Sequence, residues 1–341
     1  MPPAAPIPKL APLLFDEAGQ RIESAEWSRQ RDRLRQRWRV CLGRFPTDKA
    51  PLKAEILATE EQPGFVRQLV RYQIEDGVRA DAYLLMPQPA AEKLPAVVVF
   101  HQTTQTNFQQ AAGLDESAPE LMHGRQLVRR GYTVLCPRCF IFEDGAIDAA
   151  GFARNTKRMQ RRHSDWTGMT RMTWDAVRAV DFLESLPGVD RTRIGGIGHS
   201  LGAKEVLYAA AFDDRYRAAV YNDGGIGLHF SNWNAAWYLG PQINTANFEL
   251  EHHQLLALIA PRAFLFLAGE AEDGERSSPY FESAQAVYRL LGTEQNLGWL
   301  NHRAGHRYPP EAREIAEAFL DAHLRPDLGG AGRNPVIIQR R

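Results

Sequence analysis

The sequence predicts an α/β fold built on a mostly parallel, doubly wound sheet. Short apolar runs rich in β-branched residues alternate along the chain with longer segments of helical periodicity. Strict alternation of strand and helix is typical of right-handed βαβ crossovers. The run "LPAVVVFH" (94–101) is continuously apolar, as expected of a strand buried on both faces of a parallel sheet. Ligands bind at the carboxyl ends of the strands in such sheets, so we look there for chemistry.

The amino-terminal part precedes this alternation. The segment "ESAEWSRQRDRLRQRWRVCLG" predicts a helix that ends at Gly43, and Trp27, Leu34 and Trp38 recur along it at helical spacing. Two alternating segments follow, at 64–77 and 78–87, and they predict an antiparallel hairpin with an Asp-Gly turn. The stripe of large side chains therefore docks the helix on the main body of the protein.

The remaining elements alternate in order. Strands are predicted at 132–137, 193–198, 216–222, 261–269 and 296–301, and helices at 118–130, 171–186, from 203, at 279–291 and at 310–323. We therefore divide the chain into an arm with its docking helix (1–60), a main α/β domain (61–325) and a mobile tail (326–341).

The composition restricts the function classes. The chain has 341 residues, 44% of them hydrophobic, and its 41 basic residues balance 41 acidic ones. A neutral chain of this size has no global field that favours nucleic acid or an anionic membrane, so the expected partner is a small molecule. Three cysteines are too few for a disulfide framework, and "MPPAAPIPKLAPLLF" lacks the apolar centre of a signal peptide. We expect a soluble, cytoplasmic protein; nothing indicates a particular oligomeric state.

The segment "RIGGIGHSLGAKE" (193–205) is the strongest functional signal. It places Ser200 between Gly198 and Gly202, after an apolar run and before a helix-forming one. A tight strand-to-helix turn needs small residues beside the serine, because the backbone there is strained and crowded. The pattern predicts a nucleophile elbow that presents the Ser200 hydroxyl above the edge of the sheet.

A serine nucleophile needs a histidine base, and the base needs an acid that fixes its tautomer. His302 and His306 both follow the predicted strand at 296–301. We favour His306 as the base, because Gly305 lets the loop bring the imidazole over the nucleophile. His302 lies nearer the strand and is expected to be structural.

Three carboxylates are candidates for the acid. Asp273 and Glu272 follow the predicted strand at 261–269, and Asp223 follows the strand at 216–222. We favour Asp273, beside a glycine, then Glu272. Asp223 remains open, because an acid there can also reach the histidine from a neighbouring strand end.

Acyl transfer also requires two backbone donors for the oxyanion. The amide of Leu201, directly after the nucleophile at a helix N-terminus, is the first candidate. Thr103 or Gln102, in the turn after the strand that ends at His101, would supply the second.

Four segments together, "VVVFHQTT", "GIGHSLGAKE", "FLFLAGEAEDG" and "NHRAGHRYPPEA", resemble the α/β-hydrolase fold in its order of serine, acid and histidine. More narrowly, the chain resembles the acetyl xylan esterase and dienelactone hydrolase groups. The resemblance implies a small lid insertion at about 226–250. Trp233 and Trp237 in this segment have two open readings, as a wall of the substrate pocket or as a cover for the core, and we expect His101 to face the substrate.

A basic run, "RNTKRMQRRHSDW" (154–166), has two readings that the sequence leaves open. Arg158, Arg161 and Arg162 could steer an anionic substrate, or they could form a solvated helix face.

We therefore predict a serine hydrolase that cleaves a carboxylic ester through an acyl-enzyme, such as an acetylated carbohydrate or an aryl ester. Thioesterase, amidase and acyltransferase activities would use the same residues. A metal-dependent hydrolase is an alternative, because His302 and His306 are four residues apart, but the chain lacks the helix and the glutamate of the zincin signature. No cofactor or metal is expected, and a non-catalytic binding module is the alternative from another class.

Overall fold

A computed structural model describes residues 9–89 and 93–326, in which one nine-stranded sheet lies between helices. The strands are β1 (Glu55–Gln62), β2 (Phe65–Glu75), β3 (Val78–Pro87), β4 (Leu94–Phe100), β5 (Thr133–Pro137), β6 (Val189–His199), β7 (Tyr216–Asn222), β8 (Ala263–Ala268) and β9 (Leu297–Asn301). The helices are α1 (Trp27–Leu42), α2 (Phe108–Ala111), α3 (His123–Arg129), α4 (Ala149–Gln160), α5 (Gly168–Ser185), α6 (Leu201–Phe212), α7 (His253–Ile259), α8 (Ser278–Leu290) and α9 (Pro310–Leu324).

The strand order is β1-β2-β3-β5-β4-β6-β7-β8-β9. Six neighbouring strands in this order run parallel to one another: β5, β4, β6, β7, β8 and β9. The other three, β1, β2 and β3, pair antiparallel at one edge of the sheet. The order runs outward in both directions from β4, so helices cover both faces. The predicted fold class, a mostly parallel doubly wound sheet, is confirmed.

Strand β4 shows why its sequence is continuously apolar. Val98 and Phe100 belong to a core cluster that includes side chains of α5, α6, α7 and α8, whereas Val97 and Val99 belong to a second cluster with α2, α3 and α9. Successive side chains point to opposite faces of a strand, so a strand covered on both sides has no polar face. The parallel strands therefore lie in the interior and bring their carboxyl ends to one edge.

The amino-terminal helix α1 docks as its stripe predicts. Trp38 is fully buried, and its indole donates a hydrogen bond to Gln254 Oε1 at 3.0 Å. Its ring meets Tyr208 of α6 edge-on and stacks on His252, with centroids 5.8 and 5.5 Å away. Helix α1 therefore packs against α6 and the start of α7, on one face of the sheet.

Some elements differ from the sequence prediction. The hairpin is present as β2 and β3, but it is extended by β1, whose residues are almost all exposed. Helices α4 and α7 were also not predicted. Strand β1 has no buried face and therefore no alternation of apolar and polar residues from which to predict it.

Three further expectations concern the segment 226–250, the carboxyl-terminal tail and the absence of a membrane-spanning segment. The segment 226–250, expected as an insertion, joins β7 to α7 and contains only a short 3₁₀ turn at Pro241–Asn244. The predicted mobile tail, apart from its first residue, lies outside the described residues. In the described ranges, the helices are all too short or too polar to cross a membrane.

Candidate active site

The turn from β6 into α6 carries Ser200. Its backbone has φ +57° and ψ −116°, an unfavourable conformation for a residue with a side chain, of the kind that persists where surrounding structure enforces it. A Cβ atom at Gly198 would collide with the carbonyl group of Gly202, and one at Gly202 would collide with the carbonyl oxygen of Phe100. The two glycines are therefore required by close backbone approach, and Ser200 is held half-buried at the carboxyl edge of the sheet.

A chain of two hydrogen bonds connects three side chains from three strand ends. His306 Nε2 lies 2.9 Å from Ser200 Oγ, and His306 Nδ1 lies 2.6 Å from Asp223 Oδ2. A carboxylate can only accept, so Nδ1 carries the imidazole proton and Nε2 is left free to accept from the hydroxyl. This is the tautomer that a general base for serine requires.

Asp223 is fully buried and well satisfied. Its second oxygen, Oδ1, accepts hydrogen bonds from the amides of Asp273 and Gly269 at 2.9 and 3.1 Å. Burial would raise the pKa of Asp223, but the hydrogen bond from His306 and these amides outweigh burial and lower it. The carboxyl group is therefore ionised at neutral pH.

The hydrogen bond with Asp223 has the opposite effect on the base. It raises the pKa of His306 above the usual histidine value, although partial burial opposes the rise. The pair therefore favours the imidazolium form of His306, the form that a histidine base adopts when it accepts a proton.

The structure corrects the predicted acid. Asp273 does not contact His306: its carboxylate instead accepts from the amides of Gly225 and Ile226, both at 2.7 Å, and from Tyr221 and Ser277 hydroxyls, both at 2.8 Å. Burial raises the pKa of Asp273 to about 6 despite these donors. Asp273 therefore braces the turn that carries Asp223.

Strand order explains the correction. β7 lies directly beside β6, whereas β8 is one strand further away, and neighbouring strands are about 4.8 Å apart. The carboxyl end of β7 is therefore nearer to Ser200 than the carboxyl end of β8. Asp223 also has φ +49°, a turn conformation that aspartate tolerates better than most residues.

Glu272, the second choice for the acid, is half-buried and makes no hydrogen bond to His306 among the described residues. Its carboxylate lies close enough to act on the imidazole through space, as one of the smaller causes that raise the pKa of His306. Glu272 is therefore a neighbour of the site and not the partner of the base.

His302 has the structural position that the sequence predicts. Its Nε2 lies 3.1 Å from Asn222 Oδ1, and its Nδ1 accepts from the amide of Ala304 at 3.2 Å. The Asn222 amide nitrogen in turn donates to His199 Nδ1 at 2.8 Å. This network connects the histidine loop to β7 and to the residue before Ser200.

The oxyanion-hole candidates lie in different surroundings. Leu201 is the first residue of α6, so its amide has no acceptor within the helix. Gln102 is buried, with Nε2 2.5 Å from Gln110 Oε1, whereas Thr103 is exposed. The structure thus leaves Leu201 and one of the two loop residues as the candidates.

His101 does not face a substrate, contrary to our expectation. It is fully buried, its Nδ1 donates to its neighbour's carbonyl, Gln102 O, at 2.8 Å, and its Nε2 accepts from the amide of Cys139 at 3.0 Å. Burial lowers the pKa of His101 to about 4, so it is neutral. Its role is to fix the loop after β4 against the loop after β5.

The predicted aromatic pocket residues are mainly packing residues. Trp233 is fully buried, with its indole donating to Gly225 O at 2.6 Å, and therefore has no open face for a ligand. Trp237 is half-buried and meets Phe152 of α4 edge-on, with centroids 5.6 Å apart. Of the two, only Trp237 retains surface that a substrate can reach.

Lys204 is a residue of the site that the sequence reasoning missed. It is 4% exposed and donates to Ser231 Oγ at 2.8 Å and Asn232 Oδ1 at 3.2 Å, and its ammonium lies 5.0 Å from the ring centre of Trp233. Burial lowers the pKa of Lys204 to about 8. The available signal was a pair of charged residues, Lys204 and Glu205, inside a helix that is otherwise mostly apolar, because α6 is buried on almost every side.

The described residues include no cluster of three or more histidine, cysteine, aspartate or glutamate side chains placed to hold a metal ion. His302 and His306, four residues apart, instead make separate contacts to Asn222 and Asp223. The donor set at the site therefore fits proton transfer.

Comparisons with known proteins show which family and which folds this chain is similar to. A model described as the Dienelactone hydrolase family matches residues 80–257, just over half of the chain. Carbohydrate esterase MZ0003, from an unknown prokaryotic organism, is 22% identical over 94% of this chain and 86% of its own length. A 4-O-methyl-glucuronoyl methylesterase 1 of Sodiomyces alcalophilus is 33% identical over 48% of this chain and 39% of its own length. A solved glucuronoyl esterase from Solibacter usitatus superposes with a TM-score of 0.76 at 20% identity, covering 94% of this chain and 99% of that one.

Proposed function

This chain belongs to the dienelactone hydrolase family and is a carboxylic ester hydrolase, and on that premise we propose that it cleaves esters of carbohydrates through an acyl-enzyme formed on Ser200. The predicted resemblance to α/β-hydrolase esterases is confirmed by the family match and by the fold. The observation that carries the proposal is the continuous hydrogen-bonded chain from Ser200 through His306 to Asp223.

The proposed reaction has two stages. His306 Nε2 takes the proton of Ser200 Oγ as the oxygen attacks the ester carbonyl, and the resulting imidazolium then protonates the leaving alcohol. Water, deprotonated by His306, attacks the acyl-enzyme and releases the acid. Asp223 stabilises the imidazolium in both stages, and the amide of Leu201 with one donor from Gln102 or Thr103 stabilises the oxyanion.

Two observations support a carbohydrate ester. The similar proteins include a carbohydrate esterase and glucuronoyl esterases by name. In addition, Lys204 lies close enough to act on the pKa of His306, and two of its three N–H groups have acceptors in the described structure. The remaining donor suits an oxygen-rich substrate better than a purely apolar acyl chain.

The nucleophile is tested with a fluorophosphonate probe and with p-nitrophenyl acetate. The parent protein should be labelled at Ser200, and Ser200→Ala should lose labelling and retain at most about 10³- to 10⁴-fold catalysis over water. Equal turnover by parent and variant would refute the mechanism. Activity that disappears in EDTA and returns with zinc would favour a metal-dependent hydrolase.

The substrate class is tested with a panel of methyl glucuronate esters, acetylated sugars, aryl esters, thioesters and amides. We expect the highest kcat/KM for a sugar ester, and we expect Lys204→Gln to raise KM for that ester more than for p-nitrophenyl acetate. A higher kcat/KM for thioesters or amides than for any ester would refute the proposed substrate class.

A further inference from the structure

Asn222, the last residue of β7, lies between the strand ends that carry the three triad side chains. Its backbone carbonyl accepts a hydrogen bond from the amide of Ser200 at 3.0 Å, and Asp223 follows it directly in the chain. Its side chain is fully buried and, among the described residues, makes no hydrogen bond to a triad side chain. Asn222 therefore stands beside the site without belonging to its proton chain.

The Asn222 side chain holds the loop that carries the base. His306 lies between β9 and α9, in a segment without regular secondary structure. Asn222 contacts this segment on both sides of the base: its Oδ1 lies 3.1 Å from His302 Nε2, and its Nδ2 donates to the carbonyl oxygen of Arg307 at 3.2 Å. A loop has no helix or sheet to fix its side chains, so the position of the imidazole depends on contacts of this kind.

The hydrogen-bond donors of this network fix the orientation of the amide. His302 Nδ1 accepts from the amide of Ala304 at 3.2 Å, so the proton of His302 lies on Nε2 and is donated to Asn222 Oδ1. The Nδ2 end of Asn222 then faces the carbonyl oxygen of Arg307, which can only accept. Each end of the amide therefore has a partner of the right kind.

The same amide orients a ring that packs beside the base. The ring centroid of His199 lies 4.7 Å from that of His306. Burial lowers the pKa of His199 to about 3, so this ring is neutral. His199 Nδ1 lies 2.8 Å from Asn222 Nδ2 and 3.2 Å from Asn222 O, and the shorter contact is to an N–H donor, so Nδ1 accepts. Asn222 thus fixes a second surface that His306 packs against.

From these contacts we infer that Asn222 is a positioning residue for the base. Its amide holds the His306 loop and the His199 ring in the place where the imidazole meets both the carboxylate and the hydroxyl of the triad. Asn222 acts through these neighbours and exchanges no proton with the substrate. The inference rests on the proposed function, because it concerns the general base of that reaction.

The first test is the kinetics of Asn222→Ala with p-nitrophenyl acetate. We expect kcat to fall about 10- to 100-fold, the loss that a misplacement of about 1 Å produces, while KM changes less than about threefold. The loop keeps the hydrogen bond from the amide of Gly305 to the carbonyl oxygen of Gly269, at 2.6 Å, so activity should not vanish. An unchanged kcat in the folded variant overturns the inference, and so does a rise in KM alone.

A spectroscopic readout separates positioning from a general loss of stability. The short hydrogen bond between His306 Nδ1 and Asp223 Oδ2, at 2.6 Å, should give a proton NMR signal far downfield of the amide signals, and Asp223→Asn identifies that signal by its loss. We expect Asn222→Ala to broaden or shift the signal in a protein whose near-ultraviolet circular dichroism shows that it is folded. A signal of unchanged position and width would count against the inference.

A second variant, His302→Ala, removes one of the two loop contacts and leaves β7 intact, so it decides the matter if Asn222→Ala does not fold. It should lower kcat, though less than Asn222→Ala does, and an unchanged kcat overturns the inference. Because the two substitutions release the same contact, the double variant should lose no more kcat than Asn222→Ala alone. Losses that multiply would show that the two residues act independently and would overturn the inference.

The matched control is Asn296→Ala, which removes the same atoms at the opposite edge of the sheet. Asn296 lies directly before β9, and its Nδ2 donates to the carbonyl oxygen of Pro261 at 2.8 Å. The kcat, the KM and the downfield signal should all stay as in the parent, and an equal loss of kcat there overturns the inference. A parent that is neither labelled at Ser200 nor active refutes the proposed function, whereas an active parent with an unaffected Asn222→Ala refutes this inference alone.

Discussion

The substitution Asp223→Asn tests the assignment of the acid most directly. The amide keeps the size of the side chain but removes the charge that faces His306 Nδ1 at 2.6 Å. It also offers Nδ1 an N–H donor, which favours the tautomer with its proton on Nε2. That tautomer cannot accept the proton of Ser200.

The magnitude follows from the geometry. A carboxylate and an imidazolium about 4 Å apart attract by about 4 kcal/mol at an effective dielectric constant of about 20. The His306 side chain is 40% exposed, so water screens part of this, which leaves about 3 kcal/mol. An unfavourable tautomer adds roughly 1–2 kcal/mol, the cost of a hydrogen bond left unmade. The sum of about 4–5 kcal/mol corresponds to a loss of roughly 10³- to 10⁴-fold in rate.

The assay is kcat/KM for p-nitrophenyl acetate, with near-ultraviolet circular dichroism to show that the variant is folded. Glu272→Gln is the matched control, because Glu272 is close to His306 but acts only through space, and it should retain activity within about threefold. A larger loss in Glu272→Gln than in Asp223→Asn would refute our assignment.

Three further predictions follow from the same contacts. Asp273→Asn leaves two of four donors facing an amide group, so it should lower the free energy of unfolding by about 3 kcal/mol in urea titration, yet cost less activity than Asp223→Asn. A loss equal to that of Asp223→Asn in a folded variant would contradict this. Because the pKa of His306 is raised and the base must be neutral, the ascending limb of kcat/KM should lie above pH 6.5 and move to lower pH in Asp223→Asn; an unmoved limb would exclude the pair as its origin. Gly202→Ala forces a methyl group against Phe100 O and should destabilise the protein by about 1–3 kcal/mol; unchanged stability would show that the elbow can relax.

The sequence was sufficient where the physical signal is local. The turn at Ser200 could be predicted because a buried strand, two close-approach glycines and a helix start are all encoded within thirteen residues. His306 could be singled out from His302 because a glycine precedes it and the strand is further away. In the structure the side chains of Ser200 and His306 lie within hydrogen-bond distance of each other.

The sequence was insufficient where the outcome depends on which elements become neighbours. The choice between Asp273 and Asp223 depends on the order of β7 and β8 beside β6, which no spacing along the chain reveals. The burial of Trp233 and His101 depends in the same way on segments that pack over them from elsewhere in the chain. Aromatic residues in an irregular segment look alike whether they cover a core or line a pocket.

The docking of α1 has a practical consequence for work with shortened forms of this protein. Trp38 packs against both Tyr208 and His252, which are joined to each other by a hydrogen bond of 2.8 Å. Tyr208 lies on the helix that begins directly after Ser200. A recombinant fragment that begins at β1 would leave an apolar hollow on that helix, and we expect it to self-associate. A fragment made for expression should therefore include α1 and extend beyond the region that matches the family.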